Sequence, residues 1–156
     1  MGLDEFEIHP APVPSRARAR GCDDLPVRRV IDLDQAGAVI AERAAWWRAA
    51  GLTVGRVTWR DEAAPWPQQL ETDRTLVRDP DSIGVVVSGP ADAELSVVLF
   101  RGGWADVDYC HDGLDDVGVL PAVGIDSAAA FASRLDQWVS RVFGPTARRG
   151  PAPDFR

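Results

Sequence analysis

Six side chains able to hold a cation or move a proton crowd into eleven residues of this chain: Asp106, Asp108, His111, Asp112, Asp115 and Asp116. Oxygen and imidazole donors at this density suit a divalent metal, and an Asp-x-Asp pair on one strand face converges readily on such an ion. The run nevertheless lacks the D-x-D-x-D-G-x5-E loop of an EF-hand, and no distant acid or histidine motif completes a site. Two other readings stay open beside the metal site. One is an acidic face solvated by water; the other is an acidic surface that meets a cationic partner. Paired carboxylates for glycoside hydrolysis fit less well, because these acids sit on a solvated edge without a sugar cleft.

The remainder of the chain offers little chemistry. It contains no P-loop, no G-x-G-x-x-G after a strand, no H-E-x-x-H and no G-x-S-x-G. His9 and His111 are the only histidines, and His9 lies in a proline segment. A Ser-His-Asp arrangement would have to use His111, with no nucleophile elbow to pair with it. The expectation is a protein without catalysis, cofactor or bound metal.

Composition points the same way. At 156 residues, 46% apolar and with six tryptophans, the chain suits one folded domain with a single core. No apolar run approaches the ~20 residues of a membrane span. The acidic start, Met1-Gly2-Leu3-Asp4-Glu5, reads as neither a secretory signal nor a myristoylation site. A cytoplasmic protein is expected, with Cys22 and Cys110 as reduced thiols. All 17 basic residues are arginine, a usage typical of a high-GC genome. Residues 30–143 carry nine arginines against 18 acids, so the globular part is more acidic than the net charge of −7. That field repels nucleic acid. The one basic cluster, Arg16-Ala17-Arg18-Ala19-Arg20, is too short to reverse it.

The elements that must position these residues are legible in outline. Residues 1–29, with His9-Pro10-Ala11-Pro12-Val13-Pro14, read as a flexible Pro/Arg-rich arm, and residues 145–156 as a flexible tail. Between them, residues 30–144 read as a single α+β domain. Asp32 or Asp34 caps a first helix whose Ala36, Val39, Ile40, Arg43, Trp47 and Ala50 share helical spacing, and Gly51 closes it. Trp46, about 100° from Trp47 around that helix, belongs at a rim or on a partner-facing side. Leu52–Trp59 predicts the first strand, followed by a polar connection over 60–81 with a short strand near Thr75–Val77. Trp66, between Pro65 and Pro67, reads as a loop plug or, second, an exposed anchor. Ser82–Ser88 predicts a strand, and Leu95–Phe100 a central strand covered on two sides. Gly102-Gly103 turns it into a return strand, Trp104–Cys110, with Trp104, Asp106, Asp108 and Cys110 on one face. A weak strand follows near Val117–Val123. Asp126 or Ser127 then caps a last helix with Phe131, Leu135, Trp138 and Val142 in one stripe. The expected fold is a mostly antiparallel sheet of four or five strands, with both helices on one face.

Two segments carry a family resemblance. Ala44-Ala45-Trp46-Trp47-Arg48-Ala49-Ala50-Gly51-Leu52, leading into a strand, resembles the opening helix of small immunity proteins of bacterial polymorphic-toxin systems. Glu94–Tyr109, with L-S-V-V-L-F, a glycine turn and A-D-V-D, is similar to the core hairpin of the TriTu-type immunity family. The closing helix Ser127–Phe143 fits the same plan. The resemblance spans roughly residues 32–143, and the Pro-Trp-Pro connection and the doubled glycine depart from it. It implies a cytoplasmic protein that binds and neutralises a cognate toxin without catalysis. A cationic toxin would meet Asp106, Asp108, Asp112, Asp115 and Asp116, with Trp104, Trp66 or Trp46 as apolar anchors. The alternatives are an interaction or adaptor module of another bacterial system and, third, a metal-dependent enzyme built on the Asp106–Asp116 cluster.

Overall fold

A computed structural model of the chain describes residues 28–111 and 116–148. The first helix, α1, runs from Leu33 to Ala49. Asp32 begins it by accepting from the backbone N–H of Asp34 at 2.9 Å and of Gln35 at 3.2 Å, and so satisfies two of the donors a helix start leaves open. Its buried stripe is Leu33, Ala36, Ile40, Arg43, Ala44 and Trp47, and Gly51 takes φ +86° just beyond its end. The last helix, α2, spans Ala128–Phe143 and is capped by Ser127, which accepts from Ala130 N–H at 3.2 Å. Phe131, Leu135, Trp138, Val139 and Val142 are its buried face. Replacing Ser127 with Ala should lower stability by about 1 kcal/mol in a denaturant titration, the usual cost of a lost N-cap.

The two helices touch each other and are tied by Arg43, whose guanidinium donates to Asp136 through Nε at 2.9 Å and Nη2 at 3.1 Å. Both lie on one face of an antiparallel sheet that has seven strands among the described residues, more than the four or five expected, because the short segments Thr53–Val54 and Leu70–Glu71 also pair. The strands are β1 (Thr53–Val54), β2 (Thr58–Asp61), β3 (Leu70–Glu71), β4 (Pro80–Ser88), β5 (Glu94–Phe100), β6 (Trp104–His111) and β7 (Asp116–Val119). Their order across the sheet is β3-β2-β4-β5-β6-β7, and β1 pairs with the far end of β4. The core lies between sheet and helices: Ile83, Val85 and Val87 from β4, Leu95, Val97 and Leu99 from β5, and Ala105 and Val107 from β6 meet the helix stripes. The α+β class, the alternation of faces in β6 and both terminal helices thus match the sequence reading.

Several expectations are corrected. The strand expected over Leu52–Trp59 is broken into β1 and β2 around Gly55, which lies against the Val86 carbonyl. The strand expected near Thr75–Val77 is a short 3-10 turn, Arg74–Leu76, and the pairing segment is β3 instead. β5 is interior in the strand order, but among the described residues only one of its faces is covered; Ser96, Val98 and Phe100 are half-buried on the other. The domain is also slightly longer than 30–144. Arg29 pairs with Asp79, Val30 N–H donates to Arg101 C=O at 2.7 Å, and a turn over Pro145–Arg148 buries Ala147. The remaining arm, with Cys22 and the Arg16–Arg20 cluster, and the tail from 149 lie outside the described residues. Among the described residues, no helix is long and apolar enough to cross a membrane.

Candidate interaction face

The antiparallel register fixes what is presented by the face of the sheet that the described residues leave uncovered. Leu70 stands opposite Arg60, Arg60 opposite Ser82, Ser82 opposite Phe100, Phe100 opposite Trp104, and Trp104 opposite Val123. One transverse row therefore crosses the sheet. Within it Phe100 and Trp104 stack, with ring centroids 3.8 Å apart and planes within 11°. Such a pair adds roughly 0.5–1.5 kcal/mol beyond its buried area. Because Ser82 is small, the Arg60 guanidinium reaches over it to the Phe100 ring, 5.5 Å from its centroid. Trp104 remains 39% exposed and is the outer end of this stack.

The hairpin turn holds the stack in place. Gly103 N–H donates to Phe100 C=O at 3.0 Å and Gly103 adopts φ +83°. A Cβ there would come within 2.8 Å of the Ile125 carbonyl and 2.9 Å of the Val30 side chain. Gly103→Ala should therefore lower stability by at least about 1 kcal/mol, through both backbone strain and crowding, which chemical denaturation would measure.

The successive rows become acidic. Asp106 lies opposite Val98, Asp108 opposite Ser96, and Cys110 opposite Glu94. Asp106 and Asp108 both project from β6 into solvent on this face. His111 has the opposite parity, so the strand sends it to the helix side, away from the two aspartates. Among the described residues, no three His, Cys, Asp or Glu side chains gather where they could hold a metal ion. Asp112 and Asp115 lie outside the described residues, and of Asp116 only the backbone is described, paired with His111.

The aromatic anchors separate. Trp104 shares the face with Asp106 and Asp108. Trp66 is 86% exposed at the β2–β3 connection, so the plug reading fails and an exposed side chain stands in its place. Trp46 belongs to the helix layer, half-buried with Arg43 over its ring at 5.5 Å, and cannot join a contact made by the sheet's other face. Phe100, Arg60 and the exposed Val117 and Val119 of β7 were missed by the sequence reading. The valines follow an alternation of two that was readable; Arg60 beside Phe100 depends on a register that was not.

Behind the Arg60 stack runs a ladder of alternating charge. Asp81, buried, accepts from Arg60 Nε at 2.9 Å and lies 3.6 Å from Arg101 Nε. Arg101, also buried, donates Nη1 to Asp79 at 3.0 Å, and Asp79 in turn holds Arg29. Asp61 accepts from the backbone N–H groups of Arg78 at 3.1 Å, Asp79 at 2.9 Å and Ala63 at 3.0 Å. Those donors, that of Arg78 foremost, hold its carboxyl below the ordinary 3.8. The unfolded chain then binds the proton more readily than the native one. The stability Asp61 contributes is complete above about 3.8 and is lost as pH falls through its lower native value. In an acid series, wild type should lose more stability below about pH 4 than Asp61→Asn does.

A cleft of about 410 Å³ beside the start of α1 is lined by Arg29, Arg74, Arg78 and Arg101. Three of these guanidiniums already hold Asp79, Asp34 or the Asp79–Asp81 pair, and Asp32 already caps the helix. It is a neutralised network rather than a ready anion site. No protein-family model matches the chain, and no curated protein or solved structure matches it either.

Proposed function

We propose that this chain is an immunity-type protein that binds and neutralises a cationic protein toxin with the uncovered face of its sheet. One observation carries the reading: the stacked Phe100–Trp104 pair and the aspartates Asp106 and Asp108 share a face that no described element covers. Aromatic residues set in a flat polar surface are the usual energetic centre of a protein interface. Acids beside them speed the approach of a basic partner, by ~10–10³ in rate at low salt. The net charge of −7 adds to that field. The resemblance of Ala44–Leu52 and Glu94–Tyr109 to immunity proteins supplies the partner class.

The test is co-expression with the C-terminal toxin domain of a large secreted protein encoded immediately upstream. Growth arrested by that domain should be restored when this chain is present. Continued arrest with the chain abundantly expressed, or an upstream region without such a toxin, would overturn the reading.

A further inference from the structure

We infer that the β7 edge is a docking site for an extended segment of the toxin, which adds to the sheet as a further antiparallel or parallel strand. The inference rests on the toxin-binding reading above and names how the contact is made. The pairing of β6 with the chain beyond it does not end at Val119. Leu120 N–H donates to Val107 C=O at 2.9 Å, Ala105 N–H donates to Ala122 C=O at 2.8 Å, and Val123 bridges to Trp104. These contacts and the β6–β7 pairs keep one register from Asp116 to Val123.

That register decides which backbone groups are open. In an antiparallel pair, alternate residues turn their N–H and C=O toward the neighbour and the rest turn them away. Leu120 and Ala122 face β6, so Val117, Val119, Pro121 and Val123 direct theirs outward. Among the described residues the sheet ends there. Pro121 lacks an N–H, which leaves Val117 and Val119 as consecutive outward donors and acceptors. The same residues turn their side chains to the uncovered face: Val117 is 60% exposed, and Val119 and Val123 are each 72% exposed. A row of exposed valines along an open edge is what natural sheets ordinarily avoid. The opposite edge, β3, is only two residues long.

Area and charge select the occupant. Two copies joined through β7 alone would align a few residues each, far below the ~1,200 Å² of a stable interface, and would bring two acidic bodies together. The uncovered face is about 25 Å on a side, or on the order of 600 Å². A toxin that lies on that face and extends one strand along its rim reaches the ~800 Å² per partner of a standard complex. The strand's apolar side chains would rest on Val117, Val119 and Val123, and its body would carry positive charge over Asp106 and Asp108.

The experiment measures amide exchange in the full chain, alone and with the toxin domain that arrests growth, together with the affinity of Val119→Pro. Because the Val119 N–H faces away from β6, proline leaves the protein's own ladder whole while removing the donor. Val117 and Val119 amides should exchange fast in the free chain and slowly in the complex, and Val119→Pro should weaken binding at least about tenfold. If the toxin binds but both amides stay unprotected, the strand-addition inference is overturned and the inhibitor reading stands. If wild type fails to bind the toxin at all, both fall together. Protection already present in the free chain assigns the edge to a second copy if it rises with concentration, or to the chain's own remaining residues if it does not, and overturns the inference either way. The wild-type exchange pattern decides the matter even where Val119→Pro fails to fold.

Discussion

Replacing Phe131 with Ala should lower the unfolding free energy by about 3–5 kcal/mol. Phe131 is wholly buried at the start of α2, and its ring is part of the core between that helix and the sheet. Removing it deletes the apolar contact and leaves a cavity that Leu135, Trp138 and the strands cannot fill without shifting. Domains of this size are stable by only ~5–15 kcal/mol, so the variant would sit near the threshold of unfolding at growth temperature. Gln137→Ala, on the exposed side of the same helix, should stay within about 0.5 kcal/mol of wild type. Urea titrations of the pair check this. A Phe131→Ala cost below about 1 kcal/mol would mean that α2 does not close the core.

Trp104→Ala should separate folding from function. Its ring lies on the sheet face away from the helices and is 39% exposed, so the fold loses the stack on Phe100 and the apolar area the ring covers, together on the order of 1–3 kcal/mol. As the aromatic centre of the contact it should weaken binding to the toxin domain by ~2–4 kcal/mol, which is roughly 30- to 1,000-fold in Kd. The double change Asp106→Asn and Asp108→Asn should act differently. Shape is kept and charge removed, so association slows and its salt dependence flattens, while dissociation changes little. Titration calorimetry and stopped-flow mixing across salt concentrations measure both. Trp104→Ala binding as tightly as wild type would move the contact off this face, to exposed Trp66 or to the Trp46 side of α1.

Much of this protein was legible in its sequence, because local physics suffices wherever an element's own period and caps define it. Asp32 and Ser127 can each reach their own helix's N–H groups, and Phe131, Leu135 and Trp138 recur at helical spacing. The alternation of Ala105, Val107 and Tyr109 against Trp104, Asp106 and Asp108 sorted the two faces of β6 before any partner strand was known. Tertiary structure decided what sits beside what. Both faces of Leu95–Phe100 are apolar, which reads as burial on two sides; with both helices on one face, Val98 and Phe100 are instead left on an open surface. The row Arg60–Ser82–Phe100–Trp104–Val123 joins four strands and the segment beyond β7 through register, a long-range quantity that no local pattern encodes. The layering of helices on one face likewise set Trp46 apart from the aspartates, though both stood out equally by residue type. Residue types and their periods fix what each element can bury, whereas the hydrogen-bond register between distant strands decides which of the remaining side chains meet.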